Sequence, residues 1–271
     1  MEAVNIICYF LIFCIGCLFG SFSTLAVYRL PLHQDITHKH SYCPNCNHKL
    51  SFLDLIPVLS YIFLGGKCRY CKTKIRIRYL ILEVLTGLTF LLVAMSIKLN
   101  LLIISINELV YIVFIFLYVA GIVIIAGIDK EKKQINKPVL LYELILLNIY
   151  MIYLYVVENA NIYRYVIYLF VVIGFLLLDN AILKKKLESN YTICILILSI
   201  IMNGFTFELC FIYTVILTLL SIAFNIIIYK FKNRKKDNNL NKILDIPIGF
   251  YLCISNIVCL IFINFMANGW F

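Results

Sequence analysis

Residues 109–136 read LVYIVFIFLYVAGIVIIAGIDKEKKQIN. Positions 109–128 carry no charge, and a helix of that length rises about 30 Å, the thickness of a bilayer's hydrocarbon core. Five consecutive charged residues, Asp129 to Lys133, then mark where the chain leaves the lipid. The stretch therefore reads as a membrane-spanning helix with an acid at its water-facing end.

The rest of the chain repeats that pattern. Of its 271 residues 63% are hydrophobic, where soluble proteins hold roughly 45–50%, and the mean hydropathy is +0.97. Hydropathy places spans near 4–27, 80–97, 109–128, 138–157, 165–183, 191–203, 207–229 and 246–266; the sixth is short. Met1-Glu-Ala lacks the positive start of a signal peptide, and no small-x-small site interrupts the run to Val27, so the first segment reads as a retained span.

Charge gives the orientation. All but two of the 24 Lys and Arg, Lys98 and Arg164, fall in alternate connections: 28–79, 129–137, 184–190 and 230–242. Basic residues near span ends accumulate in the cytoplasm, so the expectation is an all-α polytopic membrane protein with about eight transmembrane helices and both termini outside. The net charge of +10 follows from that asymmetry and from contact with anionic membrane lipids; a nucleic-acid partner is not needed to explain it. The expected organisation is a first helix at 1–27, a cytoplasmic loop module at 28–79, a second helix with an outer loop at 80–107, and a six-helix membrane domain at 108–271. The tract KFKNRKKDNNLNK at 230–242 reads as a solvated linker.

Eleven cysteines divide into two sets. Seven lie in apolar runs and read as small packing residues, whereas Cys43, Cys46, Cys68 and Cys71 form the knuckles CPNC and CRYC within the polar loop. Two such knuckles close a tetrahedral four-sulfur zinc site able to organise a loop too small for its own core. Redox dithiols are the alternative, disfavoured in a reducing cytoplasm. Four thiolates leave no open coordination position, so this zinc would be structural. His33, His38, His40 and His48 crowd the loop but read as solvated.

Several segments together carry a resemblance: GSFSTLAVYRLP (20–31), CPNCNHKLSFLDLIPVLSYIFLGGKCRYC (43–71), IRIRYLILEVLTG (75–87), the Asp129 stretch and IPIGFYLCISNI (246–257). They resemble the bacterial type IV prepilin peptidases. The resemblance implies an eight-span aspartic protease of the bacterial inner membrane that cleaves the basic leader of prepilins and pseudopilins at the cytoplasmic face. It also implies possible N-methylation of the new amino terminus with S-adenosylmethionine, in the part that includes the cysteine loop. Asp129 matches the first family aspartate. Aspartic proteolysis needs two nearby carboxylates sharing one proton. A helix end suits them, because a charged carboxylate at mid-membrane costs about 2.5–3.5 kcal/mol on insertion scales and lacks water. Without the resemblance, Asp129 would read as an interfacial charge beside Lys130, Lys132 and Lys133.

The second family aspartate, in a Gly-x-Gly-Asp motif, falls at LESN, 187–190, where Leu187 and Ser189 replace the glycines and Asn190 replaces the acid. An amide has no proton to share and cannot take the acid/base role. The missing glycines favour natural divergence over an engineered change. Asp179 and Glu188 are possible substitutes, each also readable as a side chain satisfied by Lys184–Lys186. Glu83 matches an acid of the family's loop-associated part, with ion pairing to Arg76 or Arg78 as the plainer account. Three functions follow as expectations: an active prepilin peptidase, an impaired relative that binds or methylates pilin precursors, and a membrane transporter.

Overall fold

A computed structural model describes residues 2–38, 40–100, 103–158, 190–206, 208–232 and 246–269, with positions 163, 166, 170 and 174 between. Among these residues the secondary structure is helical, with only isolated bridges in place of strands. Contacts divide the chain into Met1–Gly127 with Asn264–Phe271, and Ile128–Ile263.

In the first unit, α1 (Glu2–Arg29) ends where Pro31 enters a 3₁₀ turn at Leu30–Leu32, closed by His33 in the left-handed conformation. Beyond the loop, α3 (Arg78–Ser96) returns and packs along α1. Gly16 and Gly20, four apart on one face, bring the backbones together: a Cβ on Gly16 would lie 2.8 Å from the Cα of Gly87, and one on Gly20 would lie 2.7 Å from the Cα of Glu83. Small residues at this spacing drive close helix pairing in lipid. Thr86 and Thr89 return their hydroxyls to the carbonyls of Leu82 and Leu85, which satisfies them without water. Between α1 and α3 the loop holds a 3₁₀ turn at Phe52–Asp54 and a short helix, α2 (Leu59–Phe63).

The helix read first from the sequence is α4 (Ile106–Lys132). Ile115, Tyr118, Ile122, Ile125 and Asp129 recur at helical spacing and are all buried, so the acid sits at the end of the packed face.

In the second unit, α5 (Lys137–Glu158) starts at Asn136, whose side chain accepts the Val139 N–H. Its buried stripe runs through Val139, Glu143, Leu146, Leu147 and Tyr150. It packs on α6 (Asn190–Phe205): a Cβ on Gly204 would meet Leu147 at 2.7 Å, and Tyr150 stacks on Phe205. The long helices α7 (Glu208–Lys232) and α8 (Ile248–Ala267) are joined by the Asn256 amide donating to Thr214 Oγ1 at 3.3 Å. Only 11% of the apolar window of α7 is buried, a face suited to lipid.

Among the described residues six helices are long and apolar enough to cross a membrane, as a multi-pass protein requires. They coincide with the expected spans one to four, seven and eight. The sixth expected span is the 16-residue α6, about 24 Å long at 1.5 Å per residue and shorter than the hydrocarbon core. The fifth, at 165–183, lies outside the described residues apart from the isolated positions, as does nearly all of the basic tract 230–242.

Candidate functional site

Asp129 is fully buried, three residues before α4 ends. Its Oδ2 accepts the Tyr191 hydroxyl at 3.0 Å and the Phe250 N–H at 2.8 Å. The Gly249 N–H donates to the Tyr191 oxygen at 3.2 Å. Gly249 and Phe250 open α8, where backbone N–H groups have no intrahelical acceptor and attract an anion. Pro247 and Gly249 prepare that end. Proline suits a helix start, and any Cβ on Gly249 would sit 3.0 Å from Oδ2. Lys130 lies over the Phe250 ring at 4.6 Å.

Tyr191 immediately follows Asn190, so the start of α6 and the end of α4 meet at this carboxylate. The motif IPIGF, noted in the sequence only for its resemblance, supplies the anchoring N–H groups. Asp179 and Glu188 lie outside the described residues.

Sequence reasoning passed over Glu143, the single acid in the apolar run 138–157. It is fully buried, and neither of its oxygens has a hydrogen-bond partner; Asp129 Oδ1 is likewise buried without one. The available signal was simply an ionisable residue inside a span, a functional candidate by default.

The four cysteines converge. Their sulfurs all lie within 4.8 Å of one another, with Cys43 and Cys71 3.8 Å apart. Sulfurs about 2.3 Å from a tetrahedral ion are about 3.8 Å from each other, so the set fits one such metal. Each knuckle folds alike. The Cys43 N–H reaches His48 O and the Asn47 N–H returns to Cys43 O; the Cys68 N–H reaches Thr73 O and the Lys72 N–H returns to Cys68 O. Asn47 and Lys72 both take positive φ, and the bridges Tyr42–Lys49 and Lys67–Lys74 close the two turns. The Thr73 hydroxyl and N–H, with the Asn45 amide, hold the Cys71 thiol down at about 5. Cys46 is pushed up to about 11: the His48 N–H would lower it, but burial and the Cys71 and Cys43 thiols keep its proton. His48 packs its ring on Tyr70, and none of the loop histidines joins the sulfur cluster.

Around the knuckles, the buried Arg29 side chain donates to the carbonyls of Asp35 and His40 at 3.0 and 2.9 Å. Asp54 accepts Arg69 Nε at 2.6 Å and the Ser51 hydroxyl at 2.7 Å. Glu83 reaches back from α3 to accept the Val58 N–H at 2.7 Å. Val58 has φ 63 and ψ −54, with Leu59 N–H bonded to Pro57 O. This is a γ-turn of positive φ, strained for a β-branched residue. A cavity of about 450 Å³ opens between the loop and the helix ends, with Tyr28, Arg29, Tyr61, Arg76, Arg78 and Glu83 in its walls.

Comparison with known proteins bears on this first part. Residues 14–97 match the bacterial peptidase A24 N-terminal domain, a segment that holds the loop and its cysteines and ends before Asp129. A prepilin leader peptidase/N-methyltransferase of Myxococcus xanthus is 42% identical over 79 residues, 29% of this chain and 24% of that protein. Its namesake in Vibrio cholerae is 38% identical over 105 residues, 36% of this chain and 39% of that protein. A type 4 prepilin-like proteins leader peptide-processing enzyme of Escherichia coli is 35% identical over 98 residues, 30% of this chain and 36% of that protein. The matches thus span about a quarter to two fifths of these relatives' length. No solved structure matches the chain. Over residues 14–97 the chain is therefore similar to the bacterial peptidase A24 N-terminal domain, and the resemblance to prepilin peptidases read from the sequence is borne out there.

Proposed function

We propose that this protein is a membrane peptidase of the prepilin type, cleaving the leader of prepilins or pseudopilins at the cytoplasmic face of the bacterial inner membrane. Asp129 is one acid of the site, and Asn190 occupies the position of the second family aspartate. The hydrogen bond from Tyr191, the neighbour of Asn190, to Asp129 carries the reading. In this arrangement residues 108–271 supply the peptidase part, while residues 28–79, set between the helices at 1–27 and 80–107, form the loop module. The ion of that module is structural zinc, matching four cysteines with no open coordination position. The cavity beside Glu83 is of a size that takes a small-molecule cofactor; S-adenosylmethionine bound there would supply the methyl group. Arg76 and Arg78 suit its carboxylate.

The test is incubation of a purified precursor with the wild-type protein, Asn190→Asp and Asp129→Asn. Cleavage by wild type or by Asn190→Asp, lost when Asp129→Asn is also present, is the expected result. Cleavage by neither overturns the peptidase reading and leaves the second one, a relative that binds or methylates precursors, which Asn190 favours.

A further inference from the structure

We propose that residues 51–66 dock on the bilayer: their apolar face enters the headgroup boundary of the cytoplasmic leaflet, and the lysines at either end of the stretch meet anionic lipid headgroups. Such docking does not depend on peptidase activity.

The stretch SFLDLIPVLSYIFLGG carries one charge in sixteen residues, inside a loop whose nine Lys and Arg all lie outside it. That charge does not face outward. The Asp54 side chain is only 3% exposed and accepts Arg69 Nε and the Ser51 hydroxyl. The large apolar side chains do the opposite: Phe52 and Phe63 are each 82% exposed, with Leu53, Leu59 and Ile62 at least half exposed. On α2, Leu59, Ile62 and Phe63 fall at i, i+3 and i+4 and share one face. Tyr61 turns inward instead and donates to the Ile75 carbonyl at 3.4 Å. An exposed apolar patch of this kind marks a contact with protein or membrane.

Depth, tethering and charge identify the occupant as lipid. Glu83 is five residues into α3, about 7–8 Å along its axis, and backs onto Gly20, nine residues before the end of α1. Helical side chains lean toward the N-terminus. The carboxylate that accepts the Val58 N–H therefore lies level with the first turn of α3, where that helix leaves the lipid. The chain running out from Val58 in both directions starts at headgroup depth. Ile77, Ile81 and Leu85, on successive turns of α3 around Glu83, are exposed as well, so apolar side chains point outward at the same level.

Both ends of the loop continue into membrane-spanning helices, which keeps the bilayer within reach at high effective concentration. Lys49 precedes the stretch and Lys67 follows it, both exposed, with Lys72, Lys74 and Arg76 exposed beyond. An apolar face rimmed by cations is complementary to an anionic bilayer surface. Docking also fixes the second cysteine knuckle over the headgroups, through the bond from Arg69 to Asp54.

The experiment places one fluorescent reporter on the face. Trp270 is the chain's single tryptophan, so Phe63→Trp is made in a Trp270→Phe background, with Phe52→Trp as a second reporter. The full chain is held in nanodiscs of phosphatidylcholine, with or without an equal part of phosphatidylglycerol. Emission is quenched either by lipids brominated near the headgroup end of their chains or by aqueous acrylamide. At position 63 the bromolipid is expected to remove about half of the emission or more, the depth that an interfacial apolar face reaches. Acrylamide should quench far less than it does free N-acetyltryptophanamide, and bromolipid quenching should weaken in phosphatidylcholine alone and in Lys49→Gln/Lys67→Gln. Strong acrylamide quenching without bromolipid quenching means a solvated face and overturns the inference. Shielding from both quenchers means a protein cover, from this chain or a second copy, and overturns it equally. Bromolipid quenching unchanged in phosphatidylcholine alone overturns the assignment to anionic headgroups. If circular dichroism shows that Phe63→Trp does not fold, Phe52→Trp decides by the same readouts.

Discussion

The Tyr191 hydroxyl donates to Asp129 Oδ2 at 3.0 Å across 62 residues of chain, and the same oxygen accepts the Phe250 N–H at the start of α8, while the Gly249 N–H donates to the Tyr191 oxygen. Tyr191→Phe removes one donor and keeps the ring. Hydrogen bonds to charged groups contribute about 1.5–3 kcal/mol. On the proposed peptidase function, precursor cleavage by Tyr191→Phe is therefore expected to fall at least about ten-fold in kcat, with KM little changed, because the bond orients the acid and does not bind substrate.

Gly249 admits the carboxylate to the helix start. Gly249→Ala places a methyl group 3.0 Å from Oδ2, so Asp129 must retreat by a few tenths of an ångström and its bond to the Phe250 N–H lengthens. A loss of about 1–3 kcal/mol, the usual cost of overpacking, is expected in denaturant unfolding of the protein in detergent.

The sulfur cluster predicts a metal stoichiometry. Purified protein is expected to carry one zinc per chain, and Cys68→Ser to carry almost none, as measured by elemental analysis. Chelation of the wild type should expose residues 30–77 to protease while leaving the helical circular dichroism largely intact, because a metal-organised loop loses its fold with its ion.

Acid should loosen the same loop by a second route. Burial alone would raise the Asp54 carboxyl, but Arg69 and Ser51 outweigh it and hold the group below its ordinary value. A depressed folded value means the stabilisation is complete above the unfolded pKa near 3.9 and vanishes as pH falls through the lower folded one. With Arg69 half exposed, the contribution is under about 1 kcal/mol. Asp54→Asn should reproduce the loss at neutral pH and flatten the acid limb of loop proteolysis.

Glu83 clamps a strained turn, and its two replacements should differ. Glu83→Gln keeps an oxygen that can accept the Val58 N–H and should leave the loop nearly as protected as wild type in hydrogen exchange. Glu83→Ala leaves Val58 at positive φ without its partner and should raise exchange at residues 56–60.

What the sequence made legible follows from the range of the forces involved. Hydropathy and cysteine spacing act over tens of residues, so 109–128 read as a span and the two knuckles as one metal-holding loop. Asp129 was visible because a charge closing an apolar run is a local feature. Its partners were not: Phe250 lies 121 residues away, and no periodicity reports which helix start will face which helix end. Glu143 went unnoticed because it interrupts PVLLYELILL without a motif around it. The glycine pair at 16 and 20 escaped because its meaning depends on α3 lying opposite.

That glycine seam gives the loop its mechanics. Because α1 and α3 are zipped backbone to backbone at Gly16, Gly20 and Gly87, the two stems of the cysteine loop cannot splay. A pull on the cap is transmitted to both rods together, as through a closed clasp.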